Sequence, residues 1–196
     1  MKFFLKKVFL KIGLIGLAYR MSYKIGFINM IPGFYIRSIP IRENGESVVP
    51  LSPSENIIIS CPEEEAVLVR KTVFNKIVAS SLMLPDGLKL KILYGYRSIE
   101  IQTKFWQETC EKIRQKNPNL TAQEIEKEAR LLSAMPNGRG PHQTGGAVDV
   151  LIVDTNGLSL NFGTEYRGWG NKVFMHSKLI TSEQKRNRET LRHIMQ

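Results

Sequence analysis

Read for the spacing of apolar and polar positions, the chain falls into a run of short elements separated by proline and glycine signals. Val69, Val73, Phe74, Ile77, Val78 and Leu82 recur at helical spacing, and Pro62 with Glu63, Glu64 and Glu65 ahead of them reads as the start of that helix, since proline and acidic residues both suit a first turn. Pro85-Asp86-Gly87 turns the chain, and Leu88 to Leu93 then alternates apolar and charged residues as a half-exposed strand does. Ser98 is placed to cap a helix over Ile99 to about Lys116. Thr121 with Glu124 forms a capping box for another over roughly Ala122 to Ala134. From Gly145 onward the pattern predicts a strand, with Val148, Val150 and Ile152 on one face and Ala147, Asp149, Leu151 and Val153 on the other. Asp154-Thr-Asn-Gly157 is a turn signal, and Leu158 to Phe162 is the expected return strand, which makes the sheet at least partly antiparallel. A last helix, capped by Thr181 with Gln184, runs toward the C-terminus.

One position breaks this pattern. Asp149 is a carboxylate on an apolar strand face, where it needs a partner or a cation, because an unpaired buried charge costs several kcal/mol. His142 lies seven residues upstream. Gly145 and Gly146 between them have no Cβ and let the backbone turn back so that imidazole and carboxylate converge. A His nitrogen and an Asp oxygen would supply half of a tetrahedral zinc site. On spacing alone they are equally a hydrogen-bonded core pair. Arg97 sits at a strand-to-helix junction, Tyr94-Gly95-Tyr96-Arg97-Ser98, where side chains reach into clefts, or else pair with a surface carboxylate.

The 196 residues suit one domain with an extension, and 42% hydrophobic with 23% charged residues is ordinary globular composition. The net charge of +10 is uneven. Residues 1–42 hold eight of the 28 Lys and Arg and none of the 18 Asp and Glu, so the rest of the chain is nearly balanced. The opening segment begins like a secretory signal, but its apolar core from Ile12 to Tyr19 is short, no A-x-A site follows, and Lys11, Arg20 and Lys24 interrupt it too often for a spanning helix. It reads either as a basic amphipathic helix on an anionic membrane surface or as a packed helix with a solvated basic face. Nucleic acid is not expected as a partner, because the chain has no helix-turn-helix, zinc-finger or RNP-type pattern. Pro40, Asn44-Gly45, Pro50 and Ser52-Pro53-Ser54 mark an irregular connection. That gives a basic extension and linker over 1–55 and a main domain over 56–196. Cys61 and Cys110 match neither a disulfide framework nor a zinc or redox spacing, and read as ordinary thiols.

Pro141-His142-Gln-Thr-Gly145-Gly-Ala147-Val-Asp149-Val resembles the S-x-H-x-x-G-x-A-x-D-L zinc motif of the D-alanyl-D-alanine dipeptidases, with Gly140 where the pattern has Ser. Tyr94-Gly-Tyr-Arg97-Ser98 resembles the same family's Y-R-(P/S) element, and Asn187-Arg188 to Met195 its N-R-x-x-L-x-x-x-M helix. The resemblance covers about residues 60–196. It implies an α+β fold with a mixed or antiparallel sheet flanked by helices, one zinc ion held by His142 and Asp149, and Arg97 as the cation that stabilises the oxyanion. It also implies a small D-amino-acid dipeptide substrate drawn from peptidoglycan metabolism. Two departures accompany it. Gly163-Thr-Glu165-Tyr-Arg167 stands where the family has G-T-x-F-D, putting a cation where an anion would hold the substrate amine. The family's E-W-W-H element, with its general base and third zinc ligand, is not among the residues up to Gln196, and neither His176 nor His193 occupies its place. The expectation is therefore a zinc D-alanyl-D-alanine dipeptidase, with a truncated, catalytically silent relative that binds zinc weakly or not at all, held at a membrane surface, as the alternative. His176 and Glu165 remain open as substitutes for the missing groups.

Overall fold

The computed structural model describes residues 2–28, 35, 44–61, 66–136, 140–168 and 170–196. The chain forms two compact units, one of Gly45–Leu160 with Glu189–Gln196 and one of Met1–Asn44 with Asn161–Arg188.

In the first unit, β1 (Val48–Leu51) pairs antiparallel with β3 (Val67–Arg70), from Val48 opposite Arg70 to Leu51 opposite Val67. A second sheet has the order β2 (Ile57–Ile59), β4 (Lys89–Tyr94), β5 (Asp149–Val153). Here β2 runs parallel to β4, while β5 runs antiparallel to it from Lys89 opposite Val153 to Tyr94 opposite Asp149. Helices α2 (Lys71–Ser81), α3 (Ile99–Lys116) and α4 (Ala122–Leu132) complete the α+β architecture. The core is aliphatic: Ile57, Leu90, Ile92, Ile152 and Val153 from the three-stranded sheet, Val67 and Val69 from β3, Ile77 from α2, and Ile113 from α3 are essentially inaccessible to water. Each such side chain contributes roughly 1.5–3 kcal/mol by leaving water.

The second unit contains α1 (Lys2–Lys24), and its residues 182–188 form the first part of α5 (Ser182–Ile194). The buried Arg188 there donates to three carbonyls, those of Phe162, Phe174 and Lys172, at 2.6–2.7 Å.

Several sequence expectations shift. The Pro62–Glu65 helix start lies outside the described residues, and Val67–Arg70 is a strand, so α2 begins only at Lys71. Val67-Leu-Val69 carries β-branched residues at alternate positions, both fully buried, and pairing with β1 outweighs the longer helical period. β5 begins at Asp149 rather than Gly145, because 142–144 form a short 3-10 turn closed by Gly145 in the left-handed region at φ 70°. The return strand over 158–162 reduces to one bridge between Val153 and Ser159, made by bonds from Leu160 N–H to the Ile152 carbonyl and from Asp154 N–H to the Leu158 carbonyl. Asp154 Oδ1 accepts from the amides of Asn156 and Leu158 and tightens the turn before a ladder forms. The helix and cap expectations at Ser98 and Thr121 agree with the structure, with Ser98 accepting from the Ile101 amide and a complete Thr121–Glu124 capping box.

Candidate functional site

The C-terminal end of β4 carries the local irregularity from which the site is built. Ile92, Leu93 and Tyr94 are all buried, and the β4–β5 register shifts between Ile92 and Tyr94. Such a bulge breaks the strict two-residue alternation and re-aims the side chains that follow it. Gly95 comes next, and a Cβ there would lie 2.3 Å from the Leu68 carbonyl oxygen and 2.8 Å from the methyls of Val67 and Val69. Only glycine lets β4 leave the sheet this close to β3. Tyr96 N–H then donates to the Leu68 carbonyl, and Arg97 N–H donates to the carbonyl of His142.

Arg97, His142 and Asp149 are brought together. Arg97 Nη2 donates to Asp149 Oδ2 at 2.7 Å, and Nη1 donates to Gln102 Oε1 at 3.1 Å. The guanidinium is buried between two rings, 4.9 Å from the Tyr94 centroid and 4.6 Å from that of Phe105, which themselves meet edge to face at 5.3 Å. Cation–π contact and two charge-assisted hydrogen bonds hold the charge where water does not reach it. Gln102 is fixed in turn, donating to the Ala134 carbonyl at 2.7 Å.

His142 stands on the 3-10 turn with Nδ1 2.8 Å from the Gly95 carbonyl oxygen. A carbonyl can only accept, so Nδ1 carries the proton, and in the neutral ring Nε2 keeps its lone pair. Nε2 is 3.4 Å from Asp149 Oδ1. Two ligands each about 2.1 Å from an ion at the tetrahedral angle stand about 3.4 Å apart, so the pair fits two corners of a zinc site. A metal-bound histidine usually donates its other ring N–H to a carboxylate or a backbone carbonyl, as His142 Nδ1 does to Gly95. Among the described residues, no group of three or more His, Cys, Asp or Glu side chains converges to hold an ion.

The turn that carries His142 is tied down by Arg70. Its N–H donates to the Gly145 carbonyl at 3.0 Å, its Nε to the Thr144 carbonyl at 2.7 Å, and its Nη1 to the Glu46 carbonyl at 3.2 Å. His176, held open in the sequence as a further ligand, packs edge to face on Tyr23 in the other unit, with centroids 5.1 Å apart. Glu165 lies in that unit as well, two residues before Arg167, which has φ 60°.

The family model described as VanY, D-alanyl-D-alanine carboxypeptidase, matches residues 72–188. That span is more than half of the 196 residues and contains Arg97, His142 and Asp149. The chain belongs to the VanY family. Its zinc peptidase-like character agrees with the motif resemblance, while the matched description is a carboxypeptidase and not a dipeptidase. Among solved structures the chain is similar to a mutant of the vancomycin resistance D,D-pentapeptidase VanY from a VanB-type resistance cassette, in complex with Zn(II), at 22% identity. That match covers 52% of this chain and 56% of the other, with a TM-score of 0.37. It is also similar to VanYB in complex with D-alanine-D-alanine, at 22% identity over 52% and 55% of the two chains, with a TM-score of 0.38. The chain thus spans just over half the length of these VanY structures. No curated protein matches.

Sequence reasoning missed Gly95, Gln102 and Arg70. Gly95 had a signal, a glycine between two tyrosines at a strand end, where only the absence of a Cβ explains the choice. Gln102 lies in the first turn and a half of α3, five residues after Arg97, but its acceptor role depends on the Ala134 carbonyl, 32 residues away, orienting the amide. Arg70 falls within the helical period of the sequence, and only pairing with Val48 of β1 makes it a strand residue.

Proposed function

We propose that this chain is a zinc-dependent D,D-peptidase acting on peptides that end in D-alanyl-D-alanine, with His142 and Asp149 as metal ligands and Arg97 as the fixed cation beside them. The observation that carries this reading is the His142 Nε2 to Asp149 Oδ1 separation of 3.4 Å, with the His142 tautomer set by Gly95. Zinc, when bound, would supply Lewis-acid polarisation of the scissile carbonyl and a water of lowered pKa. Asp149 presents one oxygen to that position while Arg97 holds the other, which fixes the carboxylate plane. Arg97 stays charged in its aromatic slot and puts positive potential where negative charge grows on the substrate oxygen. Carboxypeptidase action is favoured over dipeptidase action by the family description, and by Arg167 standing where the dipeptidases carry the aspartate that receives a free amine.

The test is release of D-alanine by the zinc-supplemented protein from an N-acylated peptide ending in D-alanyl-D-alanine, compared with the free dipeptide. Faster release from the acylated peptide, lost on chelation and in His142→Ala, supports the proposal. Release from neither substrate contradicts it.

A second reading is favoured by one observation. Gln102, Arg97 and Asp149 already form a continuous hydrogen-bonded chain in which the Arg97 guanidinium balances the Asp149 carboxylate. As a purely structural cluster they would bind zinc weakly or not at all, and chelation would leave both stability and substrate binding unchanged.

A further inference from the structure

We propose that the outward face of α1 docks on the surface of an anionic phospholipid bilayer, with the helix lying along the interface. The two sides of this helix differ sharply. On one side Gly16 is buried against Tyr35, so closely that a Cβ would lie 1.8 Å from its hydroxyl oxygen. Tyr19 meets the Tyr35 ring at a tilt of 49° with centroids 5.7 Å apart, and Tyr23 meets His176. At 3.6 residues per turn, Leu14, Leu17, Ala18 and Met21 share the opposite side, within about a third of the circumference. Leu14, Leu17 and Met21 are 62%, 55% and 60% exposed, and the stripe continues past the helix end into Ile25 and Phe27 at 76% and 82%. An apolar stripe of this length on a helix already packed by its other side needs a further partner.

Charge selects the partner. Arg20 and Lys24 are exposed along one flank of the stripe. The helix also contains Lys2, Lys6, Lys7 and Lys11 and no acidic residue, and residues 1–42 carry eight basic residues with no Asp or Glu. Aliphatic and Met side chains flanked by uncompensated cations match an acyl–headgroup boundary bearing negative charge. No described helix is long and apolar enough to cross a membrane.

The experiment is co-sedimentation of the full chain with vesicles of mixed phosphatidylglycerol and phosphatidylcholine, with pure phosphatidylcholine as comparison, at low and high salt. We expect binding to the anionic vesicles at least about tenfold stronger than to the neutral ones and weakened by salt, because several cations release counterions on contact. Leu17→Glu with Met21→Glu removes the binding, while circular dichroism and the His142–Asp149 site are unaffected. Arg20→Glu with Lys24→Glu weakens it at low salt only. No binding to anionic vesicles at low salt, or binding that the Leu17→Glu, Met21→Glu pair leaves intact, overturns the proposal. Concentration-dependent self-association that this pair abolishes, without lipid binding, overturns it in favour of a second copy of the chain.

Discussion

His142 Nδ1 lies 2.8 Å from the carbonyl oxygen of Gly95, so a backbone group at the end of β4 decides which imidazole nitrogen faces Asp149. The dependence runs from sequence to chemistry through a single missing Cβ. Gly95 can approach β3 only because it has no side chain, and its carbonyl then meets the ring.

Gly95→Ala should therefore damage stability and metal binding together. The added methyl meets the Leu68 carbonyl at 2.3 Å, backbone that cannot yield cheaply. Overpacking of this kind costs about 1–3 kcal/mol. A thermal melt should fall by several degrees, and a zinc titration of the folded variant should weaken. A variant with unchanged melting and unchanged zinc affinity would show that the close approach does not matter.

Arg97→Ala leaves the half-buried Asp149 without its 2.7 Å donor and Gln102 Oε1 without its partner. Removing one member of a buried ion pair costs about 3–5 kcal/mol when fully buried, and the 28% exposure of Asp149 puts this site toward or below the lower bound. Arg97→Lys keeps the charge but cannot bridge Asp149 and Gln102 with a planar fork. In the folded lysine variant, kcat on a D-alanyl-D-alanine peptide should drop by about 10²–10³. A rise in KM alone, with kcat intact, would move Arg97 out of the chemistry.

The Thr121–Glu124 box gives a pH dependence with a definite sign. Hydrogen bonds from the Thr121 backbone and then its side chain hold the Glu124 carboxyl below its ordinary 4.5. A carboxylate with a depressed folded pKa contributes stability that is complete above the unfolded value and lost as pH falls through the folded one. Stability of the protein should therefore decline below about pH 4.5 in part through this group. Glu124→Gln should flatten that decline without changing the melting point near neutrality by much, since glutamine still serves in a capping box. An acid transition identical in both proteins would assign the decline to other carboxylates.

Much of this arrangement was legible in the letters. Ser98, Thr121 and Glu124 carry their own cap chemistry, so α3 and α4 start where local rules put them. Spacing left His142 and Asp149 open between a core pair and half a zinc site, and Arg97 between a cleft and the surface; the motif resemblance singled the three out, and the fold brings them together. What escaped was set by distant partners. Val67–Arg70 is a strand because β1 pairs with it, overriding a helical period that continues through Val73 and Ile77. Arg70 grips the His142 turn 74 residues later, and no local pattern encodes that.

The central claim is that His142 and Asp149 jointly hold one zinc ion, and competition titration against a chromophoric chelator tests it most directly. The measurement compares the wild-type protein with His142→Ala and Asp149→Ala, each checked for retained fold. The account predicts one zinc per chain in the wild type, and affinity weakened at least about tenfold in each variant, since each loses one of two converging ligands. Equal zinc affinity in all three proteins would contradict it.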